Sequence, residues 1–159
     1  MRGRSIVLGL CALILSGCPN TDAAVFVEPT IASPAAQVSG GALGVSLKGS
    51  FTLKLHLGAR ASDASQVSIT QFKILDENGM GAIVDPLPVS SKTMFPVTVE
   101  QDSDVDVDIT FDTGTKPLPS DVEAKLCAGN VTIGGAIDDS LQDRSTPVLS
   151  APFKPTGCP

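Results

Sequence analysis

Two stretches of this chain alternate apolar and polar residues with a period of two. In residues 50–57, Phe51, Leu53, Leu55 and Leu57 fall on one side, and Thr52, Lys54 and His56 fall on the other. In residues 104–111, Val105, Val107, Ile109 and Phe111 alternate with Asp104, Asp106, Asp108 and Thr110. Successive side chains of an extended strand point to opposite faces, so each stretch predicts a strand buried on one side only. Neither pattern gathers its apolar residues onto one face of a helix.

The rest of the chain fits around those two strands. In residues 66–75, Val67 and Ile69 share one phase and Phe72 and Ile74 take the opposite one, which predicts a bulge or bend near Gln71. Asp76-Glu77-Asn78-Gly79 is a turn signal. Residues 81–89 carry Pro86 and Pro88 and predict at most a short edge strand. Further strands are expected at 95–100, at 122–128 carrying Cys127, at 131–137 with a kink at Gly134-Gly135, and at 148–153, with a polar loop over 138–146. Helical periodicity over ten residues is found nowhere after residue 18. The expectation is an all-β fold, a single antiparallel sandwich of about seven strands over residues 41–159. Its core would draw on Leu47, Phe51, Leu53, Leu55, Val67, Ile69, Phe72, Ile74, Val97, Val99, Val105, Val107, Ile109, Phe111, Leu126, Val131, Ile133 and Leu149. At about 2 kcal/mol for each large apolar side chain buried, that set can offset the ordering entropy of such a domain.

The N-terminus has a different character. Arg2 and Arg4 precede an apolar run of about ten residues, Ile6 to Leu15. That length suits the hydrophobic part of a signal peptide and is too short for a membrane span. The run ends in Leu15-Ser16-Gly17-Cys18, which resembles the lipobox of bacterial lipoproteins: an aliphatic residue, two small residues and an obligatory Cys. The resemblance implies that residues 1–17 are a signal peptide removed on export. It also implies that Cys18 carries the lipid and begins the mature chain, so that the membrane is a partner through this anchor. Two or three acyl chains would hold firmly, at about 0.8 kcal/mol per buried CH₂. The localisation implied is the bacterial cell envelope. The outer membrane is preferred over the inner, because Pro19 stands where an Asp would favour inner-membrane retention. Residues 18–40, rich in small residues, Ser and Pro, read as the lipidated Cys and a flexible tether, with room for a short first strand at 24–28.

Of the four Cys, the leader takes Cys11 and the lipid takes Cys18. Cys127 and Cys158 remain, and two thiols allow one pairing. An exported chain meets oxidising conditions, so a disulfide is expected. It would close a loop of about thirty residues and be worth roughly 3–4 kcal/mol. The architecture resembles an immunoglobulin-like or fibronectin-type-III-like sandwich in its late strands, from Ile109-Thr110-Phe111 to Lys125-Leu126-Cys127-Ala128. It departs from that family in having no core Trp, in having Lys125 where a corner Tyr would sit, and in pairing Cys127 with a C-terminal Cys. Architecture leaves function open.

Composition narrows the function. There are 17 Asp plus Glu against 11 Lys plus Arg, a formal charge of −6. Removing residues 1–17 takes away two Arg and no acid, so the charge falls to −8. Phosphate neutralisation needs clustered cations, which argues against nucleic acid as a partner. With one His, the chain cannot build a three-His metal site. No Trp or Tyr is present to stack on sugars or bases. The acidic run over residues 100–108 spaces Asp102, Asp104, Asp106 and Asp108 about 6.5–7 Å apart on one strand face, too wide for one Ca²⁺. A calcium site at Asp102, Asp104 and Asp106 is therefore kept only as an alternative to a solvated face whose charge discourages edge pairing. A base at His56 would need Ser50 or Ser68 as nucleophile and a third converging group, and no Gly-x-Ser-x-Gly elbow is present. The glycine pairs precede no helix and cradle no phosphate. The sequence names no catalytic residue, no resident metal and no cofactor. It points to a lipid-anchored envelope protein that acts as a non-catalytic binding or structural module, with an envelope protein as partner. A calcium-linked adhesion or polysaccharide-binding module is the alternative.

Overall fold

The computed structural model describes residues 23–41, 44–114 and 118–158. In chain order the elements are β1 (Glu28–Gly41), β2 (Gly44–Leu57), β3 (Ser65–Ile69), β4 (Phe72–Asp76), β5 (Ala82–Leu87), β6 (Val89–Ser91), β7 (Val97–Val99), β8 (Ser103–Asp112), α1 (Ser120–Cys127), β9 (Val131–Asp139) and β10 (Ser145–Leu149). Two antiparallel sheets pack face to face. One has the order β1-β2-β8-β6. In the other, β9 is flanked on one side by β10 and on the other by β4 and β3 in succession, with β5 and β7 outside them.

The two alternating stretches become β2 and β8, paired antiparallel from Lys48↔Asp112 to Leu57↔Ser103. Phe51, Leu53, Leu55, Val107, Ile109 and Phe111 are buried between the sheets. The rings of Phe51 and Phe72 meet across the interior with centroids 5.1 Å apart. The phase reversal near Gln71 is a bulge. Ile69 pairs with Ile137 but Lys73 pairs with Gly134, so one extra residue lies on the β3–β4 side. That extra residue turns Val67, Phe72 and Ile74 all inward.

Four expectations are corrected. First, residues 28–40, read as tether, form most of β1, a fourteen-residue strand paired with β2 almost end to end. Small residues hide its alternation, and a bulge at Ser33-Pro34 resets its phase so that Ile31, Ala36 and Val38 all point inward. The backbone groups along the free flank of β2 need partners, and this segment supplies them. Second, residues 122–128 are not a strand but most of α1. Val122 and Leu126, four apart, are buried on its inner side, while Lys125 donates to Asp121 at 3.0 Å. Third, the last strand starts at Ser145 rather than 148. It pairs Ser145–Leu149 with Asp138–Gly134, and this register buries Val148 and leaves Leu149 half exposed. Fourth, Ile69 and Val105 are only partly buried.

Asp139 is a buried carboxylate whose partners are all uncharged. It accepts from the Val27 N–H at 2.8 Å, the Leu141 N–H at 2.9 Å, the Ser65 hydroxyl and the Gln142 amide. This knot ties the start of the described chain to β3 and to the β9–β10 turn. After β10 the chain crosses from the second sheet to the first. The last described residue, Cys158, is disulfide-bonded to Cys127 with Cα atoms 5.6 Å apart.

Candidate binding face

The outer face of the β1-β2-β8-β6 sheet gathers the polar residues of both alternating strands. Antiparallel register sets five pairs across β2 and β8: Lys48 opposite Asp112, Ser50 opposite Thr110, Thr52 opposite Asp108, Lys54 opposite Asp106, and His56 opposite Asp104. Lys48 and Lys54 reach their carboxylates at 3.2 Å, His56 Nδ1 lies 2.8 Å from Asp104 Oδ1, and Thr52 donates to Asp108 at 3.1 Å. Such exposed pairs add little to stability, because water and salt screen them. Their larger effect is on register, because a slip would break several pairs at once. Asp112 also accepts the Gly114 N–H at 2.7 Å. That bond first, and Lys48 second, hold its carboxyl below the ordinary value of 3.8.

β6 covers β8 only at residues 109–111, so among the described residues the stretch bearing Asp104, Asp106 and Asp108 is paired with β2 on one flank and has no strand partner on the other, as expected of acids beside an open edge. Asp104, Asp106 and Asp112 are matched by the basic residues of β2, and Asp108 by Thr52. The spacing of Lys48, Lys54 and His56, six then two, mirrors the two-then-six spacing of Asp104, Asp106 and Asp112. That mirror was the sequence signal for the register, and reading each strand by itself missed it.

In the middle of this face the charges give way to small hydroxyl residues, which leave a hollow of about 680 Å³. Ser50, Thr52, Asp108 and Thr110 form its floor. Its rims are Ser33 at the β1 bulge, with φ +50°, and Ser90 to Thr93 at and after β6. Ser90 and Thr110 share a hydrogen bond at 3.0 Å, and Ser91 donates to the Asp108 carbonyl at 2.8 Å. Lys92, on the rim, makes no ion pair among the described residues. The hollow offers hydroxyls, carboxylate oxygen and one ammonium, groups that exchange hydrogen bonds with a polar surface.

The other sequence candidates are dispersed. Asp102 lies in the β7–β8 turn with φ +55°, while Asp104 and Asp106 are engaged with His56 and Lys54. Among the described residues no three metal-ligating side chains converge. Ser50 is six residues from His56 along β2, about 20 Å away. Ser68 belongs to the opposite sheet. Cys127 and Cys158 form the expected disulfide. Cys18 lies outside the described residues.

Compared with protein-family models, curated proteins and solved structures, the chain matches none.

Proposed function

We propose that this chain is an exported lipoprotein, anchored through lipid on Cys18 in the bacterial outer membrane, and that it works as a non-catalytic binding or structural module. The observation that carries the reading is Leu15-Ser16-Gly17-Cys18 following a basic start and an apolar run of signal-peptide length. The Cys127–Cys158 disulfide supports it, since such bonds persist in oxidising compartments. An immunoglobulin-like identity for the sandwich is supported by strand order. With β3 and β4 taken as one bent strand, the order β1-β2-β8-β6 against β5-β4-β9-β10 is like the ABED and C′CFG sheets of that architecture, with β7, paired to β3, in addition.

Val27 is already buried, so nine residues at most link the lipid to the sandwich. Fully extended they span about 30 Å, which keeps the domain near the bilayer. The hollow beside β6 is the contact face of this reading, and a polar envelope protein is the partner. The calcium-linked alternative gains nothing from the geometry, because two of its three carboxylates are held by His56 and Lys54.

Labelling cells with radioactive palmitate tests the anchor. The full-length protein should be labelled and fractionate with the outer membrane, and Cys18→Ala should abolish both. An unlabelled wild-type protein refutes the reading. A photo-crosslinking residue at Ser50 should trap one discrete adduct in intact cells, whereas the same group at Asn78, in the β4–β5 turn, should not.

A further inference from the structure

The open side of the sandwich, between β1 and β10, is closed by residues 151–158. Phe153 donates its N–H to the Val131 carbonyl at 2.9 Å and accepts from the Val131 N–H at 2.8 Å. Three residues later the chain has reached the other sheet. There Thr156 donates its N–H to the Ala36 carbonyl at 2.9 Å and accepts from the Val38 N–H at 2.8 Å. Gly157, with φ +76°, passes so near that a Cβ would lie 2.2 Å from the Val38 carbonyl oxygen. Cys158 then closes onto Cys127. Residues 151–158 thus act as a strap that adds backbone pairing to an edge of each sheet. Between β10 and the strap, Ser150 pairs with Ile133 by one backbone and one side-chain bond: its N–H donates to the Ile133 carbonyl at 2.9 Å and its hydroxyl accepts the Ile133 N–H at 2.9 Å. Pro152 and Pro155 remove two donors, so few hydrogen bonds hold it besides the covalent bridge.

We propose that the seam formed by Ala36, Val38 and Val131 is a strand-acceptor site whose partner is a second copy of this chain. When the Cys127–Cys158 bridge is open, two copies exchange straps, each filling the other's seam. The occupant is specified by the fold itself, since the strap of a second copy presents the same backbone, the same Gly157 and the same Cys158. An empty seam would leave four backbone groups without their partners, at Ala36, Val38 and Val131, and a reciprocal exchange restores all of them in both copies. The exchange closes with two-fold symmetry and needs no new surface. The bridge opens by exchange with a dithiol: its S–S bond breaks, the dithiol's two protons and two electrons pass to the Cys127 and Cys158 sulfurs, and the dithiol becomes a disulfide.

The test uses the full-length protein purified from membranes in detergent. Cys127→Ala, which keeps the Cys158 thiol, is mixed with Cys158→Ala, which keeps Cys127, in a glutathione redox buffer. The expected product is a covalent heterodimer whose peptide map shows Cys127 joined to Cys158. Adding Gly157→Val to the Cys127→Ala partner should abolish it, because the strap can no longer seat against Val38. The Cys127→Ala/Cys158→Ala double variant should keep the wild-type far-UV spectrum and sediment at twice the wild-type protein mass as concentration rises. The proposal is overturned if the double variant stays at wild-type mass. It is equally overturned if that variant loses its folded spectrum, since the strap would then belong to the folding core, or if Gly157→Val leaves the cross-link unchanged.

Discussion

Replacing Asp139 by Asn separates the charge of the buried knot from its shape. The carboxylate is 3% exposed and accepts from two backbone N–H groups, one hydroxyl and one amide. Asn has nearly the same volume but turns one acceptor oxygen into a donor. If that NH₂ faces Val27, the Val27 N–H loses its partner at 2.8 Å; if it is turned over, the Ser65 hydroxyl and the Leu141 N–H lose theirs. A hydrogen bond to a charged group is worth about 1.5–3 kcal/mol, and an orphaned buried donor costs about 1–3 kcal/mol. The charge also carried a desolvation cost that Asn does not, which offsets part of the loss. The expected net destabilisation is about 2–4 kcal/mol, a fall in Tm of roughly 6–15 °C for a domain of this size. Thermal melting by circular dichroism measures it, and amide exchange at Val27 should accelerate more than at Leu53 in the middle of β2. A variant within about 0.5 kcal/mol of wild type, with Val27 equally protected, would refute the view that this carboxylate fastens the N-terminal segment to the sandwich.

Two further outcomes follow from single positions. At Gly49 a Cβ would lie 2.1 Å from the Ala35 carbonyl oxygen and 2.3 Å from the Phe111 ring, so Gly49→Ala must displace both the β1 backbone at the bulge and that ring. It should lower stability by about 1–3 kcal/mol, read as a drop in urea midpoint with m unchanged. At Asp112 the folded-state pKa is depressed by the Gly114 N–H and by Lys48, so its stabilising effect is complete well above 3.8 and is lost as pH falls through the folded-state value. The Tm gap between wild type and Asp112→Asn should be full at pH 6 and narrow as pH drops below about 4; a gap that does not change down to pH 2 contradicts the assignment.

The candidate face was half legible in the sequence. Alternation placed Lys54, His56, Asp104, Asp106 and Asp108 on outer faces, and all of them lie there. It did not place the two stripes side by side, because pairing of residues some fifty positions apart is a tertiary event. It cast the acids as guards of an edge, and β6 does leave the flank of β8 at residues 104–108 open, but it did not show that the basic residues of β2 lie opposite them. The hollow was invisible for a related reason. Ser33, Ser50, Ser90 and Thr110 come from four separate strands, and small hydroxyl residues leave no local pattern by which to be found.

What local order could determine, it did. A period of two requires extended strands with one wet face, and that requires sheets whose apolar sides meet. The expectation that Cys127 and Cys158 pair with each other is met by the bridge observed. The tertiary structure decided the rest. Residues 28–41 became a strand because β2 needed a neighbour for its backbone, and residues 120–127 became a helix because Val122 and Leu126 could then both reach the core. The tail became a strap because two sheet edges on the same side lay within reach of one short peptide. Side-chain periodicity is carried by neighbours along the chain, whereas unpaired backbone groups and open edges exist only once the sheets have assembled.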